Sequence, residues 1–107
     1  MSNLIYRLIQ VLTLVSLSFT YVQAQVTADF SANITNGCSP VVVQFSDQSS
    51  GNITSWQWSF GNGNTSTSQN PGAIYTQPGS YDITLTVSDG NNTDVIVMND
   101  FIEVFED

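Results

Sequence analysis

The sequence predicts an all-β domain behind an N-terminal leader. Three observations predict it. Apolar residues recur at every second position in five separate runs. Clusters of Gly, Asn and Pro divide those runs at short intervals. No segment carries an apolar stripe at helical spacing. A period of two gives a strand one buried and one wet face, and short strands with turns between them assemble into a sandwich or barrel.

Residues 1–24 read as a signal peptide. Leu8 to Phe19 is mostly apolar, and Val22-Gln23-Ala24 puts small residues at the first and third positions before a scissile bond. That pattern fits signal peptidase and predicts cleavage after Ala24, so that the mature chain begins at Gln25. An uncleaved membrane anchor fits less well. The apolar run is shorter than the ~20 residues a spanning helix needs, and Gln10, Thr13, Ser16 and Ser18 dilute it. Residues 25–107 are then one domain, with no membrane insertion expected once the leader is removed.

The strand signals follow in chain order. Ala28, Phe30 and Ala32 alternate with Asp29, Ser31 and Asn33. Val41, Val43 and Phe45 alternate with Val42, Gln44 and Ser46. Trp56, Trp58 and Phe60 alternate with Gln57 and Ser59. Asn62 to Gln69 is rich in Ser, Thr and Asn and reads as a polar edge strand or a loop. Tyr81, Ile83, Leu85 and Val87 alternate with Asp82, Thr84, Thr86 and Ser88. Val95 to Met98 is apolar without clear facing, and Ile102 and Val104 alternate with Phe101, Glu103 and Phe105. Turn signals separate them: Asn36-Gly37, Ser50-Gly51-Asn52, Gly61-Asn62-Gly63, Asn70-Pro71-Gly72, Pro78-Gly79 and Asp89-Gly90-Asn91-Asn92. Pro78-Gly79 suits a type II turn, whose second corner favours Gly.

Charge excludes several functions. The chain has nine carboxylates, one Arg and no Lys or His, and its net charge is −8. Arg7 lies in the leader and all nine carboxylates lie beyond it. Binding of nucleic acid needs cationic side chains on phosphates, so no nucleic-acid partner is expected, and an anionic membrane surface is disfavoured on the same ground. Without His or Lys, the Ser and Thr hydroxyls lack an ordinary activating base, and Cys38 lacks a His partner, so no catalytic residue is expected. A carboxylate pair such as Asp82 with Asp47 or Asp89 has the chemistry for glycoside hydrolysis, but a small sandwich rarely offers the cleft.

A domain of this size buries only about 60–65% of its unfolded surface, which leaves a thin margin of stability. An internal disulfide cannot add to it, because Cys38 is the only cysteine. Cys38 is expected to be a half-buried, inert thiol; the alternative is a disulfide to a second chain.

Trp58-Ser59-Phe60-Gly61-Asn62-Gly63 resembles the Trp-x-Phe-Gly-Asp-Gly signature of PKD domains. Further blocks follow in the family's order: Asn70-Pro71 and Tyr75, then Gly79-Ser80-Tyr81 leading into Ile83, Leu85 and Val87, and Asp100 to Val104 as a closing strand. Pro40 to Ser49 resembles the family's second strand, so the resemblance spans residues 26–105. It implies an immunoglobulin-like β-sandwich of two antiparallel sheets, with Trp58, Phe60, Gly61, Asn62, Gly63, Pro71, Tyr75, Gly79 and Tyr81 as fold-defining positions. It also implies a non-catalytic module of a secreted or cell-surface protein. Such a module contacts protein or carbohydrate and spaces other domains, either standing alone or opening a longer product. Two positions depart from the pattern. Asn62 stands where the family has Asp, which removes a charged metal ligand, and Ala73 stands where it has His.

No cofactor is expected, with calcium as the one alternative; the alternative function is a small calcium- or glycan-binding module acting on its own. Ca²⁺ takes six to eight oxygens, and Asp89-Gly90-Asn91-Asn92-Thr93-Asp94 is the densest oxygen-rich loop, with Asp89, Asn91 and Asp94 as candidate ligands. A plain hairpin turn is the simpler reading. Trp56 shares a face with Trp58 and is expected to pack rather than stack on sugar. Phe101 and Phe105 fall on the wet face, as a contact to a following domain or a covered edge. Asn33-Ile34-Thr35, Asn52-Ile53-Thr54, Asn64-Thr65-Ser66 and Asn91-Asn92-Thr93 match the glycosylation acceptor pattern.

Overall fold

The computed structural model describes residues 25–107. The expected signal peptide at residues 1–24, with its expected cleavage site after Ala24, lies outside the described residues. Eight strands run in order: β1 (Phe30–Ala32), β2 (Asn36–Cys38), β3 (Val41–Asp47), β4 (Ser55–Ser59), β5 (Thr65–Ser66), β6 (Gly72–Tyr75), β7 (Gly79–Ser88) and β8 (Thr93–Phe105). Among the described residues there is no helix. One sheet has the order β1-β3-β6 and the other β2-β8-β7-β4-β5.

The predicted alternation decides which side chains meet between the sheets. Val41, Val43 and Phe45 from one sheet face Trp58, Ile83, Leu85, Val87, Ile102 and Val104 from the other, all buried. Ala28, Phe30, Phe60 and Tyr75 complete the core. Four aromatic rings form its centre. Trp58 lies 5.2 Å from Phe30 and 5.4 Å from Phe45, and Phe45 lies 5.3 Å from Phe60. Such tilted and offset contacts add to the area that the rings bury. Trp56 is half-buried against the core, as its shared face with Trp58 predicts. Its indole N–H donates to Asp47 Oδ2 at 2.9 Å.

The run Val95–Met98, which has no evident facing in the sequence, alternates in the structure. Ile96 and Met98 pack against the core, while Val95 and Val97 are exposed. Phe101 is also packed, edge-on to Phe30 at 5.3 Å, whereas Phe105 is exposed. Asn62–Gln69 contains the short edge strand β5, paired with the end of β4.

Three expectations are corrected. The sheets are not both antiparallel, because β2 pairs with β8 in parallel, Cys38 opposite Phe105. The chain keeps its direction after β1 and changes sheets. Asn33 N–H still donates to Gln44 O of β3, and then Glu103 N–H of β8 donates to Thr35 O. The Asn33–Thr35 segment is bonded first to β3 and then to β8, so the strand enters the second sheet with its direction unchanged. Cys38 is exposed rather than half-buried, since this edge strand turns its side chain away from the core. Gly79 has φ +147°, more extended than the about +80° of a type II corner, because β7 already begins there.

β7 and β8 pair along nearly their whole length, with one interruption. Tyr81 faces Ile102 and Ile83 faces Met98, so one residue of β7 is opposed by three of β8. Asp100 takes the left-handed conformation within this bulge, φ +52°, and its N–H donates to Asp82 Oδ1 at 2.7 Å.

Candidate functional site

The signature stretch turns at the end of β4, next to the β7 bulge. Gly61 has φ +80°, and a Cβ there would stand 2.6 Å from Asp82 O and 3.1 Å from Asp82 N. Only glycine lets the turn press onto that backbone. Asn62 then fastens the turn twice. Its Oδ1 accepts the Asn64 N–H at 3.1 Å, and its Nδ2 donates to Ile74 O of β6 at 3.1 Å. A carboxylate at this position has no proton to give, so the departure from Asp to Asn exchanges a charge for a donor.

Two tyrosines stand behind the turn. Tyr75 is buried and donates its hydroxyl to Phe60 O at 2.9 Å. Burial pushes the Tyr75 hydroxyl well above the usual phenol range, and the neighbouring Tyr81 adds to the effect. The Tyr81 ring lies 4.7 Å from that of Tyr75. Tyr81 is half-buried and donates its hydroxyl to Gln77 O at 2.5 Å, four residues back. This is the geometry of a tyrosine corner, with the hydroxyl returning to backbone just upstream.

Between the turn and the β6–β7 connection lies an open cleft of about 320 Å³, lined by Asn62, Asn64, Ile74, Thr76, Gln77 and Tyr81. None of these side chains is charged. Asn62 and Tyr81 are named by the resemblance to the signature. Asn64, Ile74, Thr76 and Gln77 are not, because neither alternation nor motif distinguishes a cleft wall from ordinary wet surface. The only signal is indirect: they flank the signature turn and Tyr75 in sequence.

The remaining signature residues serve the fold. The Trp58 indole N–H donates to Ser68 O at 2.9 Å, which ties the loop after β5 to the core. Pro71 is buried at the start of β6, and its carbonyl accepts the Phe45 N–H at 2.9 Å. Gly63 has φ +93° in open space.

The structure gives each carboxylate of the hairpin candidate a different partner. Asp89 Oδ1 accepts the backbone N–H groups of Asn92 at 2.6 Å and Asn91 at 2.8 Å. These bonds hold its carboxyl below the usual range. Asp94 lies on β8 opposite Val87, and its Oδ2 accepts the Ala28 N–H at 2.8 Å. It thereby fixes the segment before β1 to the second sheet. Among the described residues, no group of three or more Cys, Asp or Glu side chains is gathered as a metal cage. The Asp82 and Asp89 carboxylates are separated as well. Asp82 and Asp89 are seven residues apart along β7, roughly 20 Å at strand rise, against the roughly 5–9.5 Å of a glycosidase pair. Asp47 is engaged elsewhere. Desolvation raises its carboxyl, but hydrogen bonds from Ser49, Trp56 and Gln69 outweigh this and leave it lowered.

Comparison with known proteins places this arrangement. A family model described as "PKD domain" matches residues 22–104. The pre-pro-metalloprotease PrtV of Vibrio cholerae is 51% identical over 53 residues, which is 50% of this chain and 6% of that protein. The chain thus spans only a small fraction of the length of the curated relatives it matches. The crystal structure of the PKD1 domain of that metalloprotease superimposes with a TM-score of 0.65 at 36% identity, covering 75% of this chain and 96% of the domain. The PKD1 domain of Vibrio anguillarum Epp gives 0.62 at 28% identity, covering 74% and 94%.

Proposed function

The chain belongs to the PKD domain family, and on that premise we propose that it is a non-catalytic extracellular module. It contacts protein or carbohydrate, and it spaces whatever domains accompany it. One observation carries this reading. The side chains that define the signature are engaged within the fold: Trp58, Phe60 and Tyr75 are buried, and Asn62 and Tyr81 are hydrogen-bonded to backbone. Residues 25–107 contain no His, Lys or Arg, so no hydroxyl or thiol there has an imidazole or amine to activate it. What the module offers a partner is therefore surface, uncharged at the cleft and acidic elsewhere. The likeness to a domain of a metalloprotease supports an accessory role beside other domains, and with the leader it supports an extracellular location.

The test is direct. The full chain is expressed in a secreting host, and the medium is assayed for turnover of peptide, ester and glycoside substrates. Adsorption to extracellular-matrix protein and to insoluble polysaccharide is measured alongside. The reading expects mature protein beginning at Gln25, no turnover, and retention on at least one surface. Turnover above that of a mock culture, or retention on neither surface, would reject it.

A further inference from the structure

We propose that the cleft beside the Gly61–Gly63 turn is a subsite for one neutral sugar unit. This rests on the contact-module reading and names its ligand and place. The lining has three kinds of side chain, each suited to one part of a pyranose. Asn64 and Gln77 bring carboxamides and Thr76 a hydroxyl. A carboxamide presents a donor and an acceptor side by side, so it can bridge two neighbouring sugar hydroxyls. Ile74 and the Tyr81 ring bring apolar surface for the C–H face of the sugar. Ile74 is 51% exposed on the outward side of β6, so its side chain is not explained by the core.

The division of labour within the cleft points the same way. Asn62 is held at both ends of its carboxamide, and Tyr81 is held through its hydroxyl. They form a fixed wall. The side chains of Asn64, Thr76 and Gln77 make no hydrogen bond within the described residues, so their polar atoms face solvent and are available to a ligand. A preorganised wall lowers the ordering cost of binding. The volume of about 320 Å³ lies at the lower end of the roughly 300–1,000 Å³ of small-molecule sites.

Charge selects the class of ligand. The lining has no carboxylate to hold a cation and no base to hold a phosphate, sulfate or uronate. The nine carboxylates elsewhere repel anions. An extended peptide laid along β6 would meet an Ile74 carbonyl that already accepts from Asn62, which weakens one of its pairings. A neutral, hydroxyl-rich ligand remains.

The experiment is a titration of the isotope-labelled full chain, followed by NMR, with cellobiose, lactose and N,N′-diacetylchitobiose. Glucuronic acid serves as the charged control. At least one neutral disaccharide should shift the side-chain amides of Asn64 and Gln77 and the backbone amide of Tyr81. The double variant Asn64→Ala/Gln77→Ala should weaken that binding by about tenfold or more. Its melting temperature should match the parent, since neither side chain supports the fold. Three results would overturn the proposal: no shift at saturating millimolar sugar, shifts that map elsewhere and persist in the double variant, or equal binding of glucuronic acid. If the cleft fails in this way while the chain still adsorbs to matrix protein or polysaccharide, the contact-module reading stands. If it binds none of these, both fall.

Discussion

Trp58→Ala should remove a large part of this domain's stability. Trp58 is fully buried, with ring contacts to Phe30 at 5.2 Å, Phe45 at 5.4 Å and Phe60 at 6.2 Å. Truncation forfeits the transfer energy of the ring and leaves a void between two rigid sheets, for a loss of about 3–5 kcal/mol. A domain of this size has a total stability of roughly 4–12 kcal/mol at ~0.05–0.15 kcal/mol per residue. The melting temperature should fall by roughly 12–40 °C, at ~4–8 °C per kcal/mol. Trp58→Phe separates packing from hydrogen bonding. It keeps most of the ring and removes the N–H that donates to Ser68 O, a loss of about 1–2 kcal/mol. Urea unfolding of parent and both variants measures the difference. A Trp58→Ala loss below about 1 kcal/mol would place the side chain at the surface. Equal losses for the two variants would move the energy from the ring to the N–H, and either result refutes the packing argument.

Four further outcomes follow from the geometry. Tyr75→Phe should cost about 1–3 kcal/mol by leaving Phe60 O without its donor. Because the folded Tyr75 pKa is raised, its contribution is complete below the ordinary phenol value of 10.0 and is lost as pH rises toward the folded value, so the variant should show a shallower alkaline decline in melting temperature. Gly61→Ala should destabilise by more than ~2 kcal/mol, because a Cβ meets Asp82 O at 2.6 Å, while Gly63→Ala meets nothing and should cost only the left-handed strain of ~1–2 kcal/mol; equal melting temperatures would contradict this. Asp47 is lowered below its ordinary 3.8, so its contribution is present above that value and lost as pH falls through the folded pKa; acid titration of Asp47→Asn should show a flatter acid limb than the parent. Calcium, magnesium and matched sodium chloride should raise the melting temperature about equally, through screening over ~8–10 Å, because Asp89 and Asp94 are bound to backbone N–H groups; a shift with calcium alone, lost in Asp94→Asn, would establish a specific site.

The fold was legible wherever burial follows a period of two. Val41, Val43 and Phe45, and Ile83, Leu85 and Val87, alternate without interruption and are buried as written. Legibility ended where long-range pairing decides the outcome. Nothing local in Asn33-Ile34-Thr35 says that the chain changes sheets there; the partners are Gln44 and Glu103, far along the chain. Cys38 is exposed for the same reason, since the facing of a three-residue strand depends on which sheet edge it joins. The facing of Ile96 and Met98 is set by their register with Leu85 and Ile83, which a run of four apolar residues does not reveal.

The candidate site shows the same division in its chemistry. Asn62 in place of Asp is readable as a lost charge, and from the sequence alone that loss only subtracts a metal ligand. In the folded chain it also adds something, because the amide proton reaches Ile74 O and closes the free carbonyl of β6. An Asp at this position could still accept the Asn64 N–H, but it would face the Ile74 carbonyl with like partial charge and bring a negative group to the cleft wall. The exchange therefore acts on the turn, the edge of β6 and the cleft together. All three changes run in one direction, toward a wall that is fixed, less open to strand addition and uncharged. Such a wall favours a neutral hydroxylated ligand over an ion or a peptide, and it does so with a residue whose first task is to hold the turn.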